Sequence, residues 1–454
     1  MNMDKRSILE NMAAEGRRSL CPPETVRINI GTSSCGLARG AGLLYDKLAA
    51  RRDWPVPVQV VAVGCLGACF TEPLIQVRLP GGHHYFFGRV DSKSLWHVIR
   101  LVEGQPPTSY LWLTAVEKEP GQLRGLSDLQ FTGDLNSSLG RFLRPQVRSL
   151  SDSWGLINPR SIAEYAATGG YFALKDVLNR FPPRQVREWL ITSGVLDGGG
   201  KQHLGRSPLM VGSTNEFTPL ELALVENNPH HLLESLLLTG YALEITEAVF
   251  LIPGRYPQAA DLMARALAEA RQYGLVGRDI LGTRFSLEIS VVDAQAFPTL
   301  DTKAFGWSSL GLPGLAQVPG LVRRAARNEK LERQTMIFHL TGDVKNHGFV
   351  EVPRETDLPG LVRHLTGKSP DSFKALVIDH PHGTFIPFNH KGLPSVPSPS
   401  FLFDELAVLD QHRCLVEKSL AAVSAPSLRA CPGKAACTAG RSLLQTGLTL
   451  LTKG

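Results

Sequence analysis

Two glycine-flanked cysteine loops, each leaving a short run of β-branched residues, restrict this chain more than any other feature. The run "VRINI" (26–30) enters "GTSSCGLARGA", which carries Cys35, and "VQVVAV" (58–63) enters "GCLGACFTEP", which carries Cys65 and Cys69. Such runs, bounded by glycine and proline, read as strands, and "AGLLYDKLAA" between them reads as a crossover helix. Loops at the ends of adjacent strands lie side by side, so the three thiols are expected to converge. Glycines between Cys65 and Cys69 let backbone amides point at sulfur, as an electron-rich centre needs. The hairpin "LIQVRLP" and "HHYFFGRV" and the helix "SLWHVIRLV" complete a small α/β unit with helices on a mixed sheet, an order of elements found in thioredoxin-like folds.

The seven cysteines (Cys21, Cys35, Cys65, Cys69, Cys414, Cys431 and Cys437) fall in two terminal groups. An odd number without a secretory signal argues against a disulfide framework and for two metal sites joined by a cysteine-free body. Net charge is +6, spread along 454 residues, and only "RRAAR" (323–327) approaches a basic patch. It reads as a solvated helix face, so no nucleic-acid partner is expected. The charged start "MNMDKRSILENMAAEGRRSL" lacks an apolar stretch, and nowhere does an apolar run reach the length of a membrane span. A cytoplasmic protein without membrane insertion is expected.

The expected fold class is a multidomain α/β protein. Residues 1–25 form an amino-terminal arm and 26–104 the thioredoxin-like domain; 105–150, rich in Pro, Gly, Ser and Asn, read as a linker. Helices such as "YPQAADLMARALAEARQYGL" alternate with the strands "AVFLIPG" and "FSLEISVV" to make 151–330 a Rossmann-like α/β layer unit. Short strands around the helix "DLPGLVRHLTG" make 331–400 a β-rich module, and 401–454 read as helical. His347, His380, His382 and His390 in or beside that module read as surface histidines, because no pair has metal-site spacing on a helix.

Several phrases occur here in an order that resembles the NADH-binding flavoprotein subunit of respiratory complex I and of soluble hydrogenases and formate dehydrogenases. They are "INPRSIAEYAATGGYFAL", "NNPHHLLESLLLTGYAL", "GDVKNHGFVEVP" and "FKALVIDHPHGTFIP". The resemblance covers about residue 26 to the end, counting a fused ferredoxin-like domain, and implies that the β-rich module is a β-grasp domain of the soluble-ligand-binding type. It also implies FMN on a glycine-rich loop, NADH stacked on the flavin, and iron–sulfur clusters that carry electrons away. A phosphate cradle needs glycine because backbone amides must reach oxygen. Here the loop reads "SGVLDGGGKQHLGRS": Gly198, Gly199 and Gly200 remain, but Asp197 stands beside the phosphate position. In "STNEFTP" Glu216 remains and Phe217 replaces a ligand-admitting glycine; in "VVDAQAFPTLDTKAF" Asp301 remains and Phe297 and Pro298 fill open backbone. FMN and NAD are therefore expected to be lost, with Gly198, Gly199, Gly200, Glu216 and Asp301 as the residual site.

The same resemblance assigns "ACPGKAACTAG" to a [4Fe-4S] loop, where Cys431 and Cys437 match outer ligands and alanine stands at the middle one. Two thiolates do not hold a four-iron cluster, so the loop reads as a relic at the end of a truncated helical iron–sulfur domain, with Cys414 a core cysteine. It assigns Cys35, Cys65 and Cys69 to a [2Fe-2S] cluster, but Ile30 stands where a further cysteine is expected. Cys21 or a non-thiolate group is then the fourth ligand; alternatively the three are small buried thiols on tight loops. The function expected is an accessory or electron-relay subunit of a soluble multisubunit redox complex, not catalytic alone, with hydrogenase or formate dehydrogenase subunits as partners. An active FMN-dependent NAD(P)H dehydrogenase subunit and a cofactor-free assembly scaffold are the alternatives.

Overall fold

Strand β1 (Val26–Gly31) is buried along its whole length, because both of its faces are covered and both neighbours are paired. In the computed structural model, which describes residues 5–196, 208–296, 311–329, 335–378, 384–388 and 404–412, β1 pairs parallel with β2 (Val58–Val63) and antiparallel with β3 (Ile75–Leu79). The sheet continues antiparallel through β4 (His83–Phe87), β5 (Leu111–Glu117) and β6 (Leu129–Thr132), in the order β2-β1-β3-β4-β5-β6. Residues 105–150, read as a linker, thus supply two strands. The alternation in "LWLTAVE", whose burial also alternates, carried that signal, and the flanking Pro and Gly obscured it.

The period-2 pleat sends alternate residues of β1 to opposite faces. Ile28 and Ile30 enter an apolar core with Leu44, Leu48, Val77 and Val98. Arg27 and Asn29 enter a buried polar ladder instead: Arg27 Nε donates to Asn29 Oδ1 (2.8 Å), Asn29 Nδ2 to Gln76 Oε1 (2.9 Å), and Gln76 Nε2 meets His84 Nδ1 (2.8 Å). His84 Nε2 and Arg78 Nε both reach Glu117 Oε1, at 3.1 and 2.6 Å. Arg27 closes the other end on Glu164 at 2.9 Å. Burial of so many polar groups is tolerable because each finds a partner.

The arm at 1–25 contains a helix, Lys5–Leu20, which buries Leu9, Met12, Ala13 and Leu20. It crosses helix Ile162–Ala167 at Gly16, where a Cβ would stand 1.9 Å from the Ala163 carbonyl oxygen. A second sheet is parallel, β7 (Leu209–Gly212), β8 (Glu247–Ile252) and β9 (Glu288–Asp293) in that order. Helices Pro219–Asn227, Pro229–Leu243 and Pro257–Gln272 provide the crossovers that parallel strands need. The first starts at a capping box, Thr218 with Glu221.

A third sheet has the order β11-β10-β14-β12-β13, with β10 (Thr335–Gly342), β11 (Gly348–Pro353), β12 (Phe373–Ile378), β13 (Thr384–Pro387) and β14 (Glu405–Asp410). Helix Leu358–Thr366 lies between β11 and β12 in sequence. β14 runs parallel to β10 and antiparallel to β12. Residues 405–410 were expected to be helical, and they form a central strand. A six-residue apolar run such as "ELAVLD" has no periodicity that separates a doubly buried strand from a helix.

Candidate metal centre

The three cysteines of the two loops converge. Cys35 lies in the short helix Ser34–Leu37 after β1, Cys65 follows β2, and Cys69 opens a 3-10 turn ending at Thr71. Their sulfur atoms all lie within 4.8 Å of one another. Thiolates on one tetrahedral metal with bonds of ~2.3 Å sit about 3.8 Å apart, so members of the trio are near enough to bind metal together. Cys65 and Cys69 are 1% and 8% exposed, while Cys35 is partly exposed. Gly67, with φ of +90°, turns the loop between them and directs its N–H at Cys65 Sγ (3.2 Å).

Hydrogen bonds from Cys65 and Cys69 pull the Cys35 thiol well down, whereas sharing with Cys35 and burial push Cys65 and Cys69 up. Beside them Glu72 is buried, and desolvation together with the charge of Cys35 pushes its carboxyl up to about 8. Three converging thiols with a buried carboxyl beside them are groups that give up protons when a cation enters. That chemistry fits a metal centre. Cys21 is not in this group; its thiol is buried next to the Leu123 main chain and the Arg78–Glu117 pair, because the residues after helix Lys5–Leu20 lead it to the polar ladder.

All three sheets close on these loops. The end of helix Pro219–Asn227 supplies Glu226, which accepts from Ser34 N (2.8 Å) and Ser34 Oγ (2.5 Å), and Asn227, which accepts from Cys65 N–H and Ser33 Oγ. Gln258 Nε2 donates to the Thr32 carbonyl at 2.9 Å. From the third sheet, Phe349 N–H donates to Gly67 O (2.7 Å), and the His347 carbonyl accepts from Phe70 N–H (3.3 Å). Arg148 is held on Leu66 O at 2.9 Å, and its Nη2 is buried without a partner among the described residues.

No family model matches the chain. It is 25% identical over 366 residues to the NADP-reducing hydrogenase protein HndC of Solidesulfovibrio fructosivorans, a match that spans 68% of this chain and 74% of that one. It is 29% identical over 171 residues to an NADH-quinone oxidoreductase subunit of Aquifex aeolicus, 35% of this chain and 37% of the relative. The corresponding Escherichia coli protein is 22% identical over 264 residues, 48% and 59% of the two chains. The chain is a homologue of HndC and of these quinone oxidoreductase proteins. It spans 37% and 59% of the lengths of the Aquifex and Escherichia relatives. A crystal structure of NAD+-reducing [NiFe]-hydrogenase in the H2-reduced state aligns over 97% of this chain and 80% of its own, with 15% identity and a TM-score of 0.45.

In this HndC homologue, the other residues singled out from sequence are placed as follows. Glu216 is exposed and paired with Arg255, and Phe217 is buried and stacked on Tyr256, ring centroids 5.3 Å apart. Gly198, Gly199, Gly200, Asp301, Cys414, Cys431, Cys437, His380, His382 and His390 lie outside the described residues. His347, read as a surface histidine, is half-buried against Phe70, because β11 packs on the cysteine loop. Arg323 does not lie on a solvated face either: it lines a polar cavity of about 170 Å³ with Tyr165, Asn228 and His231. Sequence reading passed over Glu72, Arg148, Glu226 and Asn227. Glu72 did leave a signal, an acid three residues after the last cysteine of an otherwise apolar loop.

Proposed function

We propose that this chain is an accessory or electron-relay subunit of a soluble multisubunit redox complex, with a [2Fe-2S] centre on Cys35, Cys65 and Cys69. The observation that carries this reading is the convergence of three thiols within 4.8 Å, two of them buried and Cys35 partly exposed. Its relatives are by name subunits of a hydrogenase and of a quinone oxidoreductase, which supports partner subunits of that kind. When bound, an iron–sulfur centre takes up and releases one electron at a time. The chain holds it through the two loops and excludes water with Phe349, Trp154 and the other apolar residues packed around the cysteines. The Arg148 guanidinium, beside the Cys65 loop, favours the more negative, reduced state.

The six-stranded sheet is read as the thioredoxin-like domain extended by two strands, the parallel sheet as the Rossmann-like flavoprotein layer and the third sheet as the β-grasp module. Loss of FMN and NAD is supported by the Phe217–Tyr256 stack and by Glu216 turning outward to Arg255; side chains engaged with each other offer little to a ribose or a flavin phosphate. Iron, sulfide and flavin analysis of the full chain purified without oxygen tests the reading. Iron and sulfide without flavin are expected, with a paramagnetic signal after reduction that disappears in Cys65→Ser and Cys69→Ser. Stoichiometric FMN, or an iron-free protein, would overturn it.

A further inference from the structure

We infer that Glu72 is the fourth, oxygen-donating ligand of the amino-terminal metal centre, an assignment that rests on the reading of Cys35, Cys65 and Cys69 as its thiolate ligands. Three thiolates leave a four-ligand set one short, and two other positions are closed by the fold. Ile30, five residues before Cys35, points into the apolar core beneath β1. Cys21 sits by the polar ladder, outside the sulfur group.

Glu72 remains. It is 2% exposed and lies three residues beyond Cys69, on the same turn. Its carboxyl stands outside the 4.8 Å sulfur group but close enough for the charge of Cys35 to act on it. It also packs against the backbone on both sides of Cys35: a Cβ built on Gly31 would stand 3.0 Å from Oε1, and one on Gly36 3.2 Å from Oε2. The space it fills therefore lies between the end of β1 and the Cys35 turn, on the face opposite Ile30. A side chain at either glycine would push the carboxylate out. Oε2 accepts the Leu74 N–H at 2.9 Å, which fixes the head group between β1 and the Cys35 turn. Only the Leu74 N–H donates to this carboxyl among the described residues, so it has donor capacity to spare, and burying such a group without a further partner is costly. A metal ion supplies that partner. Carboxylate oxygen beside thiolate sulfur is an accepted donor mixture for first-row metals.

The test uses the full chain, purified without oxygen and reconstituted with ferrous iron and sulfide, in wild-type, Glu72→Gln and Glu72→Cys forms. In Glu72→Gln, iron should be released to a chelator faster by at least the 10–100-fold typical of losing even an outer-shell partner, roughly. Glu72→Cys should keep its iron and shift both the charge-transfer absorption and the g-values of the reduced state, since sulfur replaces oxygen; it also guards against a folding defect in the glutamine variant. Wild-type iron binding with Glu72→Gln unchanged in release rate and spectrum refutes the ligand assignment while leaving the relay reading intact. A wild-type chain that binds no iron refutes both.

Discussion

Glu117 shows how single groups hold this fold together. Burial by itself raises a carboxyl, but hydrogen bonds from His84 and Arg78 outweigh it and hold Glu117 at about 2. An unfolded glutamate titrates near ~4.3, so the native carboxylate contributes stability that is fully present above that pH and is lost as pH falls toward 2. His84, kept below its ordinary value by burial, acts in the same direction, since protonating it in the ladder opposes folding. Denaturant titrations between pH 6 and pH 2 should show stability falling steeply over the lower half of that range. Glu117→Gln should flatten that slope and cost about 3–5 kcal/mol at neutral pH, because Arg78 is left buried and uncompensated. Equal slopes in the two proteins would show that other carboxylates govern acid unfolding.

Helix Lys5–Leu20 depends on one residue without a side chain. Gly16 brings it against helix Ile162–Ala167 so closely that any Cβ meets backbone, and backbone cannot rotate away as a side chain can. Gly16→Val should therefore destabilise the protein by about 1–3 kcal/mol, the usual cost of overpacking, and free the helix for early proteolytic cleavage; a melting temperature equal to wild type would contradict the close crossing. Elements with strong local signals were legible in the sequence. β1, β2, β8 and the helix Pro257–Gln272 fall where their runs and periodicity put them. β5, β6 and β14 were not, because the first two are short strands set among turn residues and the third is an apolar segment whose conformation is decided by β10 and β12 on either side.

The three sheets together build one site, and that is why the sequence disclosed only half of it. Cysteine spacing and glycine made the sulfur trio readable. Glu226, Asn227 and Phe349 reach it from more than 150 residues away, as parts of helices and strands whose local patterns say nothing of a metal. Asn227→Ala removes the acceptor shared by Cys65 N–H and Ser33 Oγ, a loss of about 1–3 kcal/mol. Amides 64–71 should then exchange with solvent roughly tenfold faster, a ratio equal to about 1.4 kcal/mol of local opening, while exchange in β3 and β4 stays unchanged. Unchanged exchange at 64–71 would mean that the helix end is a bystander. The seam formed by helix Pro219–Asn227, β11 and the cysteine loops also gives the trio a front and a back. Cys65 and Cys69 are closed in behind it while Cys35 keeps some exposure, so Cys35 is the door through which anything reaches or leaves the three thiols.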